Sequence, residues 1–272
     1  MKSILLPVDQ SEGMPAVLET ARLLADIFQS TIEGVALRPA FAEIVAPDPI
    51  VAVTIPPADW NETDFCRSVR QTFDAFAAAH PPGPGGGAHF RWRGGSAIDD
   101  GTLGSLGRVY DACVLGRPGG RGARMTAVEA ALFDSGRPVI MAPPNPPKSL
   151  GQTVLIHWNA STETARCILF AMPLLKKAKR VAIIAVEGAI SPGPTIKDAV
   201  GYLAANGVEA TDKTVTGKAS RAGEAILAEA TAMGADLLIK GAYTQSRLRQ
   251  MIFGGATSHI LSAASIPVFF AH

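Results

Sequence analysis

The sequence has few of the residues that build metal centres or disulfide frameworks. Its 272 residues include three cysteines and five histidines, all of them scattered. Cys66, Cys113 and Cys167 show no C-x-x-C spacing, and the histidines form no H-E-x-x-H pair. Cys113 and Cys167 lie in apolar segments, so we expect them to be buried structural thiols. The sequence therefore predicts no metal site.

An excess of one charge and a long apolar run are also absent. The 25 Lys and Arg residues are balanced by 24 Asp and Glu residues, so there is no basic surplus of the kind that nucleic-acid binding needs. No apolar run approaches the roughly 18–20 residues that cross a bilayer. The first residues carry only five apolar side chains before Asp9, too few for the core of a signal peptide. We expect a cytoplasmic protein that binds neither membranes nor nucleic acid.

The chain contains two copies of one pattern. Residues 4–11 (ILLPVDQS) match residues 154–161 (VLIHWNAS) at an offset of 150, and two further strand patterns match later in each half. These are 111–116 with 236–241 and 138–142 with 267–271. A period this long indicates a duplicated domain rather than a solenoid. We predict one domain over 1–146 and a second over 151–272, joined by the stiff, proline-rich segment 143–151.

Each half alternates apolar strands with helices, which predicts an α/β fold with a parallel sheet covered on both faces. We expect two tandem, doubly wound, five-stranded domains. In the second half the predicted strands are 153–157, 180–186, 208–216, 235–239 and 267–271, and the predicted helices are 162–175, 195–205, 220–233 and about 256–264. The equivalent last strands should pair with each other, which would make the chain an internal pseudo-dimer.

The first half has an additional proline-rich segment, residues 39–64. Proline disfavours a central strand, so we expect this insert to lie outside the first sheet. Its one strand-like run, IVAVTI at 50–55, could pair at an edge or cover a neighbouring cleft.

Sheets of this class bind ligands beyond the carboxyl ends of their strands. In the second half Gly241 follows the fourth strand, and Gly254 and Gly255 precede the last helix. Free N–H groups at a helix amino end attract anions. Thr244 and Thr257 add hydroxyls, and Arg247 and Arg249 lie between them. These residues predict either a phosphate site or a simple turn, and the local pattern leaves both open.

Catalytic motifs are missing. The sequence has no P-loop, no G-x-G-x-x-G after a strand and no G-x-S-x-G. His157 and His259 have no visible Asp or Ser partner, so we expect both to be structural histidines with satisfied ring nitrogens. We therefore predict no catalytic residues and a protein that is not an enzyme.

The pattern resembles the universal stress protein family in its tandem two-domain form. The resemblance rests on ILLPVDQSE, on VLIHWNAS and on GAYTQSRLRQMIFGGATSHILSAASIPV. It implies a Rossmann-like fold of the adenine-nucleotide alpha-hydrolase type. ATP-binding members of the family carry G-x-x-G-x9-G-[ST] in the last segment. Gly241 and Gly254 match its first and third glycines, whereas Thr244 replaces the second and Gly255 replaces the Ser or Thr.

The resemblance also implies where a nucleotide would lie. Asn159 stands at the position of the family's nucleoside-contacting Asp, and Val186 at the position whose backbone contacts the adenine edge. The candidate contacts for ATP or AMP, with or without Mg, are His157, Trp158, Asn159, Val186, Lys240, Gly241, Tyr243, Thr244, Gly254, Gly255, Ala256 and Thr257.

The first half is expected to lack this site. It keeps Asp9, Gly116 and Gly119, but Glu129 and Ala130 stand where Gly and Ser are needed, and the loop is four residues shorter. A carboxylate there would repel phosphate.

Three functions follow from these features. The leading one is a non-enzymatic stress-response regulator that binds an adenine nucleotide in its second half. The alternative is a nucleotide-independent scaffold in which both sites are degraded. An enzyme acting on a phosphorylated substrate ranks last, because no positioned nucleophile, base or metal set can be named. The protein partner is unknown, and association of two chains into a homodimer stays open.

Overall fold

The computed structural model describes residues 1–47, 50–83, 86–119, 124–242 and 255–272, and it describes only the backbone of 42–47 and 50–55. Residues 243–254 are therefore outside the description, and with them three candidate contacts, Tyr243, Thr244 and Gly254, as well as Arg247 and Arg249.

The first half alternates strands and helices from its first residues. Its elements are β1 Ser3–Val8, α1 Met14–Phe28, β2 Thr31–Ala36, β3 Ala42–Pro47, β4 Ile50–Ile55, α2 Glu62–Ala79, β5 His89–Trp92, α3 Asp100–Gly107, β6 Ala112–Gly116, α4 Met125–Asp134 and β7 Val139–Ala142.

The second half repeats this order without the β3–β4 hairpin. Its elements are β8 Thr153–His157, α5 Thr162–Leu175, β9 Arg180–Val186, α6 Ile196–Ala205, β10 Thr211–Val215, α7 Ala222–Ala232, β11 Leu237–Gly241, α8 Ala256–Ala263 and β12 Val268–Ala271. Single 3-10 turns lie at Glu187–Ala189 and Ala219–Arg221.

The predicted boundaries fail at two strands, and local hydrogen bonds explain both. The third strand begins at Thr211 and not at 208, because the Val208 N–H still closes the end of α6 by donating to the Leu203 carbonyl at 3.0 Å. The fourth strand begins at Leu237 and not at 235. There the Ala235 N–H donates to Ala230 at the end of α7, 2.9 Å away.

All ten main strands form one continuous sheet in the order β10-β9-β8-β11-β12-β7-β6-β1-β2-β5. Neighbours are parallel except at the centre, where β12 and β7 run antiparallel. Each half is doubly wound around its first strand, so the α/β fold class is confirmed. The predicted pairing of the two last strands is also present, with Phe269 opposite Ile140.

Helices cover both faces of the sheet. On one face α1, α2, α5 and α6 pack over the strands, and on the other face lie α3, α4, α7 and α8. Side chains alternate between these two layers along each strand. In β8, for example, Val154 and Ile156 face the first layer and Leu155 faces the second.

The insert forms a structure of its own. β3 and β4 pair with each other in a separate two-stranded antiparallel sheet. Helix α2 follows from Glu62, where the Asn61 side chain accepts a hydrogen bond from the Asp64 N–H at 3.1 Å. The last residues assigned to the insert, up to Asp64, therefore belong to α2. Among the described helices none is long and apolar enough to cross a membrane.

Candidate functional site

The candidate site lies where the strand order of the second half reverses. β8 is flanked by β9 on one side and β11 on the other. The chain continues from β8 to β9 in one direction across the sheet and from β11 to β12 in the other. A crevice at the carboxyl ends of such strands is the usual ligand position in this fold class. The turn after β8 and the amino end of α8 both lie at this edge.

The turn after β8 is held by hydrogen bonds within the chain. Asn159 Oδ1 accepts from the Thr164 hydroxyl at 2.6 Å and from the Ser161 N–H at 3.3 Å. Ser161 in turn caps α5 by accepting from the Thr164 N–H at 3.3 Å. Asn159 is buried, and its acceptor oxygen already orients the turn. Thr164 and Ser161 were not among the predicted site residues, although a Ser directly before a helical pattern is a recognisable cap signal.

Gly241 is required by packing against this turn. A Cβ at Gly241 would lie 2.5 Å from the Thr164 nitrogen and 2.7 Å from its hydroxyl oxygen. Real Cβ atoms do not approach backbone this closely, so only glycine lets the amino end of α5 sit on the end of β11. The first glycine of the sequence pattern thus has a structural reason that does not involve a ligand.

Lys240 connects β11 to the amino end of α8. Its side chain is buried, and Nζ donates to the Gly241 carbonyl at 2.7 Å and to the Thr257 hydroxyl at 2.8 Å. Burial lowers the pKa of Lys240 to about 8, while Cys167 and Glu163 act in the opposite direction. A buried ammonium group at a helix amino end adds positive charge where the helix dipole is already positive.

His157 lies beside Lys240, since the two residues are register partners on β8 and β11. Its side chain is 2% exposed, and neither ring nitrogen has a hydrogen-bond partner within the described part of the chain. Among the described residues, therefore, none satisfies these ring nitrogens, in contrast to the expectation. Burial, with a further contribution from the Lys240 charge, lowers the pKa of His157 to about 3. The imidazole is thus neutral at physiological pH.

His259, the other histidine expected to be structural, packs against the backbone of α7. A Cβ at Gly223 would lie 2.8 Å from the His259 Cβ. Its place on α8 is one turn beyond the helix start, and its side chain is partly exposed.

The amino end of α8 begins at Gly255, which caps the helix in an extended conformation without a side-chain hydrogen bond. Ala256 and Thr257 are the first helical residues, so their N–H groups belong to the unpaired first turn. Thr257 is buried with its hydroxyl accepting from Lys240. The structure thus brings Lys240, Gly241, Gly255, Ala256 and Thr257 together at one edge of the sheet.

Two other candidates are placed differently. Val186 ends β9 and is fully buried on the same face as α7 and α8. Trp158 packs on the opposite face with α5 and α6, where its indole N–H donates to the Pro194 carbonyl at 3.1 Å. The Trp158 side chain therefore lies across the sheet from Lys240.

The three cysteines of the chain are free thiols. Cys113 and Cys167 are buried as expected, and burial raises the pKa of both, that of Cys167 to about 12. Cys167 donates to the Lys240 carbonyl at 3.2 Å, a contact that sequence reasoning missed. Within the described residues no group of His, Cys, Asp and Glu could hold a metal ion.

The equivalent region of the first half differs in its side chains. Asp9 Oδ1 accepts a hydrogen bond from the Ser11 N–H at 2.9 Å, which repeats the Asn159 turn. Glu129 lies within α4, and Gly119 has a left-handed backbone with φ of 107°. The residues between Gly119 and α4 include 120–123, which are outside the description.

Residues 171–272 match the model of the Universal stress protein family. The matched range takes in most of the second half, including the last segment on which the sequence resemblance rests. No curated protein matches the chain.

Solved structures extend the likeness to the whole chain. A universal stress protein from Archaeoglobus fulgidus DSM 4304 superposes with a TM-score of 0.72 at 20% identity, over 99% of this chain and 97% of that one. A putative universal stress protein from Pseudomonas aeruginosa UCBPP-PA14 gives 0.58 at 14% identity, over 100% and 93%. The cytoplasmic domain of a prokaryotic cation chloride cotransporter gives 0.53 at 14% identity, over 99% and 94%. At these identities the likeness establishes the fold.

Proposed function

We propose that the second half binds one adenine nucleotide, ATP or AMP, and that the protein is a non-enzymatic stress-response regulator of the cytoplasm. The observation that carries the proposal is the buried Lys240, whose ammonium group is held between the Gly241 carbonyl and the Thr257 hydroxyl at the start of α8. The free thiols fit a reducing compartment.

The proposed pose places the phosphates at the amino end of α8. The N–H groups of Gly255, Ala256 and Thr257 would donate to phosphate oxygens, and Lys240 would supply the charge behind them. A phosphate would favour the protonated amine, so binding should draw Lys240 toward its charged form. Adenine would lie near Asn159 and Val186, as the family resemblance implies. Mg could accompany the triphosphate.

A buried lysine and a neutral histidine do not by themselves make an enzyme. Lys240 Nζ makes two internal hydrogen bonds, and the His157 ring is shielded from solvent. Neither group is placed as an exposed nucleophile or base. We therefore propose a regulatory role in which nucleotide occupancy is the signal and turnover stays at background.

The test is calorimetric titration with ATP and AMP, with and without Mg. Lys240→Met removes the charge and keeps the length, and we expect at least a tenfold loss of affinity, since a charge-assisted hydrogen bond contributes about 1.5–3 kcal/mol. The matched control is Lys176→Met at the exposed end of α5, which should bind as the unmodified chain does. Equal affinity in the folded Lys240→Met variant would contradict the proposed pose.

The sequence pattern supplies a second pair of variants. Gly254→Glu would place bulk and negative charge in the predicted phosphate loop, outside the described residues, and should also weaken binding at least tenfold. Glu129→Gln in the first half should leave both affinity and a stoichiometry of about one nucleotide per chain unchanged. Two equivalent sites per chain would contradict the assignment to the second half.

A nucleotide-independent scaffold is the second candidate, and two contacts favour it. Asn159 Oδ1 is already engaged by Ser161 and Thr164, and the amino end of α5 rests on Gly241. Mass spectrometry of small molecules released from the purified, denatured protein separates the two candidates. Adenine nucleotide in the released fraction supports the regulator, whereas its absence together with flat titrations supports the scaffold.

A further inference from the structure

A cavity of the same half lies on the opposite face of the sheet, away from Lys240. It measures about 510 Å³ and opens between α5 and α6. Six of its lining residues carry the argument: Trp158, Arg166, Ile168, Leu169, Ala199 and Tyr202. We call it the α5–α6 groove. Cavities of roughly 300–1,000 Å³ are the ordinary size for small-molecule ligands.

The groove exists because α5 and α6 cover different strands. Helix α5 packs over β11 and β12, whereas α6 packs over β9 and β10. The end of β8 lies between them, and Trp158 fills only the floor of that space. Its indole N–H is already bound to the Pro194 carbonyl, so the part of the ring that meets the groove is apolar.

The first half shows how the same space is closed by other side chains. Its helix α2 has 18 residues and buries Phe65, Val69 and Phe73 against the sheet. The equivalent helix α6 has 10 residues and buries only Ala199 and Leu203. Counted from the helix starts, Phe65 stands at the position of Ala199, so the first half has a buried aromatic ring where the second half has only a methyl group.

Both walls of the groove expose apolar side chains to solvent. Leu169 on α5 is 58% exposed and Tyr202 on α6 is 45% exposed. Side chains of this size usually stand singly on a protein surface, whereas these two face one cavity. A ligand with an apolar body would remove both from water.

The charged side chains at the rim of the groove determine which polar group a ligand can carry. Arg166 lies three residues before Leu169, is exposed, and makes no hydrogen bond or ion pair with any residue that the structure describes. Asp198 on the other wall is committed to α6, because its Oδ2 accepts from the Thr195 N–H at 2.8 Å and from the Thr195 hydroxyl at 2.7 Å. The charged side chain that is available to a ligand is therefore Arg166, which is positive.

We propose that the α5–α6 groove binds a small amphipathic anion, with its apolar body between Leu169 and Tyr202 and its carboxylate on Arg166. A medium-chain fatty acid has this chemistry. Arginine is suited to a carboxylate because its planar fork donates two parallel hydrogen bonds. The groove and the nucleotide site lie on opposite faces of the sheet, so this inference does not rest on the proposed function.

The experiment is calorimetric titration of the full chain with decanoate, decanol and decylamine. We expect decanoate to bind saturably at one site per chain, and more tightly than the neutral or the cationic analogue. Tighter binding of decylamine would assign the headgroup to Asp198 and overturn the proposal. An absence of saturable decanoate binding would overturn it as well.

Two exposed positions provide variants that leave the core intact. Arg166→Gln should weaken decanoate about tenfold and leave decanol unchanged. Ala165→Trp, which fills the groove from a solvent-exposed position, should abolish binding of both. Lys176→Gln, at the far end of the same helix, is the control and should bind decanoate normally. Unchanged decanoate affinity in Arg166→Gln and Ala165→Trp would overturn the assignment to this groove.

A second copy of the chain is the competing occupant, and sedimentation distinguishes it. If the chain dimerises, Leu169→Ala dissociates the dimer, and the dissociated chain binds no decanoate, then the groove is a protein interface and the proposal fails. ATP should neither compete with decanoate nor change its stoichiometry, because the two sites lie on different faces. Decanoate binding in a protein that ignores ATP would leave this inference standing while contradicting the proposed function.

Discussion

Replacement of His157 by leucine should make the fold less sensitive to acid. In the folded chain the imidazole is 2% exposed and its ring nitrogens have no partner among the described residues. Its pKa falls from 6.5 to about 3, first because of burial and second because of the Lys240 charge. The unfolded chain therefore takes up a proton near pH 6.5, whereas the folded chain does not until near pH 3.

The direction of the effect follows from proton binding. Between these two pKa values the unfolded state holds more protons than the folded state, so the free energy of unfolding falls as the pH falls. Each pH unit in this window costs about 1.4 kcal/mol. From pH 6.5 to about pH 4.5 the loss attributable to His157 is about 2 kcal/mol, because the unfolded histidine is only half protonated at the upper end of this range.

Urea unfolding at several pH values between about 7 and 4.5 measures this loss. His157→Leu keeps a buried side chain of similar size and removes the titrating ring, so its stability should decline more gently than that of the unmodified chain. His89→Leu on the exposed face of β5 is the control and should leave the slope unchanged. Equal slopes for the unmodified chain and His157→Leu would refute the reasoning.

Two further predictions concern the same edge of the sheet. Burial lowers the pKa of Lys240 from 10.5 to about 8, so the unmodified chain should gain stability as the pH rises from about 8 to about 10. Lys240→Met should show no such gain. Urea unfolding in this pH range measures the difference. Gly241→Ala should lower the free energy of unfolding by about 1–3 kcal/mol, because its Cβ meets Thr164. The control is Gly201→Ala in α6, where a Cβ meets nothing within 4 Å, and it should be neutral or stabilising. Thermal melts measure both variants, and equal melting temperatures would contradict the packing argument.

Much of the fold could be predicted from periodicity. β8, α5 and β9 appear with the predicted boundaries, because each is an apolar run or helical pattern with clear ends, and Ser161 signals the start of α5. The pairing of β7 with β12 was predictable from the duplication, since equivalent apolar edges need covering. The domain boundaries at 146 and 151 stay predictions.

The site was harder to predict because its key contacts join residues distant in the chain. A lysine at the end of a strand usually faces water. No pattern in the sequence around Lys240 indicates its hydrogen bond to Thr257, 17 residues later. The lack of a described partner for the His157 ring is a tertiary property, since only packing determines which groups reach it. The sequence pattern singled out Gly241, but its neighbour Thr164 gives this glycine a packing role that the pattern does not express.

The central pairing of β7 and β12 also bears on how the two halves can diverge. Ile140 faces Phe269, and these are equivalent residues of the two copies, so a local pseudo-twofold axis passes between them. In a homodimer each of these positions would have to face itself, and every substitution would appear twice. Fusion into one chain removes that restriction. Ile140 and Phe269 differ in size and shape, so at this axis each side has become fitted to a partner unlike itself. One half is thereby free to lose a binding site while still serving as the other half's neighbour.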